Sequence, residues 1–262
     1  MTAPATASDR ITAAFGSHGK RAALMPYLMG GFPDLDSSRE IGLACADAGA
    51  DLLELGIPFS DPLADGPVIH AAATAALAAG ATPGEVLRVC EELAPRVPVV
   101  LMVYANLVLA RGAGAFVDRA AAAGAAGLIV PDLPHDESAE ALAACDSAGI
   151  ALVPLAAPST PPGRLLEIGR DARGFVYTVS LRGTTGERDE LPPDLEDTVA
   201  RVRDAASVPV AVGFGIARPE QASRVADIAD GVIVGSRLVR AAGEGGAAAV
   251  GEAVAELAAA LA

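Results

Sequence analysis

Eight short runs of mostly apolar residues alternate with helical stretches along the chain, at intervals of roughly 25–45 residues, and most runs are apolar on both faces. Strands of that kind belong to a parallel sheet covered by helices, because both faces must be shielded from water. The length, 262 residues, is close to the roughly 250 of a closed eight-stranded barrel. Together these observations predict an α/β fold: a (β/α)8 TIM barrel with an extra N-terminal helix and an extra helix in the second βα unit. An open doubly wound sheet also accommodates the alternation, but the length and the even count of eight favour the barrel. No Pro/Gly/Ser-rich linker or change of composition divides the chain, so residues 1–262 read as a single barrel domain.

Taken in order, residues 7–17 read as a leading helix with Ser8 as its N-cap. Residues 22–29 form the first strand and end in the turn Gly30-Gly31-Phe32-Pro33-Asp34. Asp36 and Ser37 can cap a helix running to about Gly49. The second strand, 51–55, leads into an acidic loop and then two helices, 67–79 and 83–93, the longest interval between strands. Strands follow at 97–104, 127–130, 150–155, 175–180, 208–212 and 231–234. Helices are expected between them at 113–123, 138–148, 162–170 (opened by Pro161 and Pro162), 195–206 and 219–226, with an alanine-rich helical tail.

Hydrophobic residues make up 52% of the chain, and its mean hydropathy is +0.41. The apolar excess is alanine at helical spacing, and no apolar run reaches the roughly 18 residues of a membrane span. Met1 to Arg10 lacks the basic-then-apolar pattern of a signal peptide, which points to the cytoplasm. A net charge of −14 argues against nucleic acid or anionic membrane as partners, and any anionic substrate must be held by local donors. Cys45, Cys90 and Cys145 lie far apart in helical stretches and read as buried small hydrophobes. They and His18, His70 and His135 show no metal-ligand spacing.

In a barrel, chemistry sits at the C-terminal ends of the strands. Glu54, Tyr104, Asp132 and Tyr177 all fall at or just beyond such ends. Glu54 interrupts the apolar run Leu52, Leu53, Leu55, where a carboxylate is costly unless paired, protonated or exposed. Three glycine-bearing segments close the later strands: Gly183-Thr184-Thr185-Gly186, Gly213-Phe214-Gly215-Ile216 and Gly235-Ser236-Arg237. Glycine lets the backbone approach a ligand, and a helix N-terminus supplies N–H donors, so such segments suit a phosphate. Each also serves as a plain strand-to-helix turn. Arg182 and Arg237 are candidate sources of charge nearby.

The fourteen residues Leu53-Glu54-Leu55-Gly56-Ile57-Pro58-Phe59-Ser60-Asp61-Pro62-Leu63-Ala64-Asp65-Gly66 resemble the signature of the tryptophan synthase alpha chain family along its whole length. Pro26-Tyr27, Met102-Val103-Tyr104-Ala105-Asn106, Pro131-Asp132-Leu133-Pro134, Thr185-Gly186, Gly213-Phe214-Gly215 and Gly235-Ser236 follow in the family's order, so the resemblance spans nearly the full chain. It implies a lyase that cleaves indole-3-glycerol phosphate to indole and glyceraldehyde 3-phosphate by a reversible retro-aldol reaction, as the alpha subunit of tryptophan synthase in L-tryptophan biosynthesis.

By that resemblance Glu54 is the catalytic acid–base, Asp65 the second catalytic acid and Tyr177 a supporting hydrogen-bonding residue. Tyr27, Met102, Tyr104, Ile129, Leu155 and Phe214 line the indole pocket, though from the residues alone Tyr104, Tyr177 and Phe214 read equally well as core. Thr185, Gly186, Gly213, Gly215, Gly235 and Ser236 hold the phosphate. Pro58, Asp61 and Asp132 face a beta chain in an α2β2 heterotetramer, Asp132 being equally able to brace the loop carrying Thr185. Pyridoxal phosphate belongs to that beta chain, and this chain is expected to need no cofactor and no metal.

The reaction's demands fit two carboxylates in different settings. Glu54, in apolar surroundings, is expected to have a raised pKa and shuttle protons, and Asp65, in a polar loop, to stay ionised against the indole nitrogen. The loop 56–66 and the segment 181–191 are candidates for the partner face and for a lid. Three positions depart from the family pattern: Phe175 stands where a second tyrosine occurs, Tyr27 where phenylalanine occurs, and Gly31-Phe32-Pro33 replaces a Gly-Asp-Pro turn. Rival readings are another phosphate-binding barrel enzyme (an indole-glycerol-phosphate synthase, a phosphoribosyl isomerase or a stand-alone indole-releasing lyase) and a catalytically dead subunit kept as an allosteric partner.

Overall fold

The structure, a computed structural model, describes residues 6–16, 19–179, 190–213 and 215–262. Strands β1 (Ala23–Met29), β2 (Leu53–Gly56), β3 (Val99–Met102), β4 (Gly127–Ile129), β5 (Ala151–Val153), β6 (Leu155–Ala156), β7 (Val176–Val179), β8 (Val210–Gly213) and β9 (Gly231–Val234) pair in the order β5-β4-β3-β2-β1-β9-β8-β7-β6, every pair parallel. The ends of that order, β5 and β6, adjoin in sequence on either side of Pro154. They are two halves of the expected fifth strand, so the chain itself closes the barrel. The split falls at Pro154 because proline has no N–H to give the ladder. Residues before it pair with β4; its own carbonyl accepts from Tyr177 N–H at 2.9 Å, and those after it pair with β7.

The outer shell is α1 (Ala7–Gly16), α2 (Leu35–Asp47), α3 (Pro67–Ala78), α4 (Pro83–Leu93), α5 (Ala105–Leu109), α6 (Ala113–Ala122), α7 (Ala139–Ala148), α8 (Pro162–Asp171), α9 (Leu195–Ala205), α10 (Pro219–Ala226) and α11 (Ser236–Leu261). The extra helix of the second βα unit is present as α3 and α4. The alanine-rich tail is one element in two halves that meet at Gly246, whose φ of 60° and ψ of −147° break the helical path. The short α5 and a 3-10 turn at His135–Glu137 were not expected from periodicity, each being too short to show one.

Two caps differ from expectation. Thr6, not Ser8, caps α1: its hydroxyl accepts from Asp9 N–H at 3.2 Å, and Asp9 accepts from Thr6 N–H at 2.7 Å. Asp34, not Asp36 or Ser37, caps α2 by accepting from Ser37 N–H at 2.8 Å. Asp34 alone of the three has the extended backbone that an N-cap requires, with φ −150° and ψ 175°.

The strands are buried on both faces. Their outward side chains, such as Leu24, Leu55, Leu101, Val212 and Val232, pack under the helices. Their inward side chains, among them Met25, Val100, Ile129, Phe175 and Ile233, fill the lumen. Helix α1 plugs the N-terminal end of the lumen: Ile11 is fully buried, and Phe15 lies 5.5 Å from Phe175, ring centre to ring centre. The acids at this end are satisfied. Asp51 accepts from Leu24 N–H at 2.7 Å and pairs with Lys20 at 2.6 Å; Asp230 accepts from Val210 N–H at 2.8 Å and pairs with Arg203. They tie neighbouring strands together, so this end of the barrel is built for stability. The three cysteines are buried free thiols pushed up to about 12 by burial. Among the described residues no helix is long and apolar enough to cross a membrane, and no three His, Cys, Asp or Glu cluster as a metal site would require.

Candidate active site

The opposite end of the lumen holds an acid of another kind. Glu54, on β2, is fully buried, and neither of its carboxyl oxygens has a hydrogen-bond partner among the described residues. Burial, reinforced by the nearby charge of Asp65, raises its pKa to about 8. At neutral pH it is therefore mostly an undissociated acid with a proton to give. Of the three ways in which the sequence could tolerate Glu54, the structure selects protonation. A partner-less buried acid costs stability, unlike Asp51 and Asp230, and such a cost is the mark of a working group.

Two phenols flank it, each seated on a glycine. The Tyr27 hydroxyl oxygen lies 2.3 Å from where a Cβ on Gly56 would stand, and the Tyr177 hydroxyl oxygen lies 2.3 Å from the corresponding point on Gly213. Any other residue at Gly56 or Gly213 would push the phenol aside. Gly213, expected as a phosphate ligand, thus also positions Tyr177. Tyr27 and Tyr177 are both buried, and both are raised well above the usual phenol value, chiefly by burial and then by neighbouring charge: Asp65 and Glu54 for Tyr27, Glu54 for Tyr177.

Asp65 approaches from the loop between β2 and α3, and Tyr104 holds that loop. The Tyr104 hydroxyl accepts from Ala64 N–H at 3.1 Å and donates to the Asp65 carboxylate, while its ring stacks on Phe59 with centres 5.3 Å apart. Tyr104 is therefore more than a pocket wall: it fastens both ends of the acidic loop. Asp65 departs in part from expectation. Its pKa is raised, because burial outweighs the lowering by the Tyr104 hydrogen bond and by His70. The two acids differ in degree, with only Glu54 driven as far as about 8. The part played by His70, one turn into α3, was not read from the sequence, since its approach to Asp65 depends on how α3 leaves the loop.

Around these groups, Met102 and Leu155 are half-buried at the mouth, and Ile129 is fully buried in the lumen beside Met102 in strand register. Gly215 has a φ of +85°, a backbone that favours glycine. Gly235 stands just before α11, its Cα facing the Tyr27 ring, so the helix N-terminus borders the phenol-lined pocket; Ser236, the first residue of α11, is buried. Arg237 turns away, donating to the Ala217 carbonyl at 3.0 Å and pairing with Glu256. Thr185, Gly186 and Phe214, with Arg182 and most of the 181–191 segment, lie outside the described residues. On the outer surface, Pro58 is buried within this chain and Asp61 is exposed. Asp132 accepts from Ala105 N–H at 2.8 Å and so caps α5. Leu63 and Leu109, 73% and 47% exposed, project from the acidic loop and from α5.

Comparison with known proteins points the same way. The family model described as "Tryptophan synthase alpha chain" matches residues 15–260. Among curated relatives, the tryptophan synthase alpha chain of Gloeobacter violaceus is 49% identical over 236 residues, covering 88% of this chain and 86% of that protein. That of Carboxydothermus hydrogenoformans is 49% identical over 227 residues, covering 85% and 84%. Among solved structures, a chain of Mycobacterium tuberculosis tryptophan synthase superposes with a TM-score of 0.90 at 38% identity, covering 98% of this chain and 99% of that one. A chain of the tryptophan synthase α2β2 complex of Pyrococcus furiosus gives 0.84 at 40% identity, covering 91% and 98%.

Proposed function

The chain belongs to the tryptophan synthase alpha chain family, and from that premise we propose how its residues divide the family's reaction. The reaction is the retro-aldol cleavage of indole-3-glycerol phosphate to indole and glyceraldehyde 3-phosphate, a lyase step of tryptophan biosynthesis. The observation that carries the assignment is Glu54: a buried, unpaired carboxyl with its pKa near 8 at the C-terminal end of a barrel strand.

Indole cannot leave as a C3 carbanion, so C3 must be protonated while the bond to the glycerol chain is intact. Neutral Glu54 gives C3 that proton. The ring nitrogen becomes positive, and Asp65 accepts the N–H hydrogen bond and offsets the charge. The Glu54 carboxylate then takes the proton of the hydroxyl on the adjoining side-chain carbon as the C–C bond breaks. Its electron pair returns to the indole ring, an aldehyde forms, and Glu54 is neutral again. Tyr177 supports this exchange from across the lumen. Tyr27, Met102, Tyr104, Ile129, Leu155 and Phe214 shape the indole pocket.

Gly213, Gly215, Gly235 and Ser236, with Thr185 and Gly186, take the phosphate. Support for this is the N-terminus of α11 at the mouth, where Gly235 has no side chain to cap the first turn and helix N-termini suit an anion. With a net charge of −14, the chain depends on such local donors.

The protein works as one barrel domain over 1–262, in the cytoplasm, as the alpha subunit of an α2β2 complex. The beta chain carries pyridoxal phosphate, and this chain needs no cofactor. Asp61 and Asp132 face the beta chain, with Pro58 shaping the loop from beneath; the exposed apolar side chains of Leu63 and Leu109 on the same segments support that reading. Incubating the purified chain with indole-3-glycerol phosphate, alone and with its beta chain, tests the function. Indole and glyceraldehyde 3-phosphate should appear in equal amounts, faster with the beta chain present. No indole under either condition would refute the reading.

A further inference from the structure

The chemistry above leaves the Tyr27 hydroxyl without a task, and it is a neighbour of Glu54. Among the described residues neither Glu54 oxygen has a hydrogen-bond partner, and the Tyr27 hydroxyl lies within reach of the charges of both Asp65 and Glu54. Tyr27 and Glu54 are register partners on β1 and β2, which puts their backbones about 5 Å apart. The Tyr27 hydroxyl rests against Gly56, two residues beyond Glu54 on the same inward face of β2. It therefore sits over Glu54's own strand, on the side toward the mouth.

The other groups that face Glu54 are engaged elsewhere or stand across the lumen. The Tyr104 hydroxyl is committed to Asp65 and Ala64, and the Tyr177 hydroxyl is seated over Gly213 on β8. Asp65, as a carboxylate, has no proton to donate, and its charge opposes a second charge at Glu54. His70 acts on Asp65.

A neutral Glu54 tolerates the lack of a donor far better than a carboxylate does, and among the described residues it has none. Once its proton has gone to the substrate, a carboxylate stands fully buried, where an unpaired charge is at its most costly. We propose that Tyr27 is a positioning residue for the reaction: its hydroxyl donates a hydrogen bond to the Glu54 carboxylate during the interval between the two proton transfers. Tyr27 keeps its own proton throughout. Only its hydrogen bond forms and breaks, as Glu54 loses one proton and gains the other. At this position the phenylalanine seen in the family pattern would fill the pocket equally well but could not donate. The inference rests on the assignment of Glu54 as the proton carrier.

Tyr27→Phe tests it, measured in the complex with the beta chain as kcat and KM for indole-3-glycerol phosphate across pH. Because Glu54 must start protonated, kcat falls above its pKa, giving an alkaline limb. Loss of the donor makes the carboxylate harder to form. The result expected is a kcat about tenfold lower at pH 7, KM within about twofold, and the alkaline limb displaced upward. Gly56→Ala, which keeps the hydroxyl but forces it off β2, should displace the limb in the same direction. A lower kcat with an unmoved limb in both variants means that the phenol only packs, and overturns the proposal; so does wild-type behaviour of Tyr27→Phe. Activity surviving in Glu54→Gln would instead overturn the assignment on which the proposal stands.

Discussion

Glu54→Gln abolishes indole release, lowering kcat on the order of a thousandfold, while the barrel remains folded. Glutamine has the shape of a protonated glutamate and, like it, would sit in the lumen without a partner. It can neither give C3 a proton nor take one from the side-chain hydroxyl, so both transfers lose their carrier at once. The same substitution changes stability in the opposite sense. The folded pKa of Glu54 lies near 8, above the roughly 4.3 of an unfolded glutamate. The native state therefore holds a proton that the unfolded chain has released. Wild-type stability is full below the unfolded value and declines as pH rises through the window from about 4.3 to about 8. Glutamine has no charge to bury, so the mutant should lose that part of the decline and denature at higher urea than wild type at pH 8. Assays of indole release and urea midpoints at pH 5 and pH 8 check both halves. Activity within tenfold of wild type would contradict the account.

Asp65→Asn should reduce kcat about a hundredfold with little change in KM. The asparagine oxygen can still accept from Tyr104, so the loop keeps its anchor, but the charge opposing the positive indole nitrogen is gone. That charge exists only once C3 is protonated, so its loss falls on the transition state rather than on substrate binding. A second effect follows from the same geometry. Asp65 is one of the causes of the raised pKa of Glu54, so neutralising it moves the titration of Glu54 down. Steady-state kinetics of Asp65→Asn across pH should show a smaller kcat together with an earlier alkaline limb. A higher KM at unchanged kcat would make Asp65 a binding group only.

How far the sequence revealed this can be judged from particular residues. The strands were legible because a parallel barrel buries both faces, and runs such as 97–104 have no polar side. Glu54 was legible for the converse reason, a carboxylate where the pattern demanded a hydrocarbon. What stayed hidden depends on contacts between distant segments. Gly56 was one residue of the acidic signature and Gly213 looked like a phosphate glycine, and only the register of β2 with β1 and of β8 with β7 makes them seats for Tyr27 and Tyr177. Tyr104 looked like a pocket wall until Ala64 and Asp65 were folded onto its hydroxyl. The elevation of Asp65 was hidden because a loop that is polar in composition can still be buried once folded. Pro154 showed the opposite failure. A proline within an apolar run was visible, yet its effect, a strand that changes partners in mid-course, requires knowing that the sheet closes there.

The two ends of the barrel also treat their acids differently, and this contrast supports the reading of Glu54. Asp51 and Asp230 stitch strands together with backbone and cationic partners. Among the described residues Glu54 has neither, at the end where barrels carry their chemistry. The claim that it waits there as a neutral acid is open to direct measurement by infrared or carbon NMR titration of the carboxyl, with Glu54→Gln identifying its signal. A midpoint near 8, absent from the mutant and lowered in Asp65→Asn, is the result expected. A carboxyl already ionised at pH 6 would contradict the account, for it would have no proton to give the indole ring.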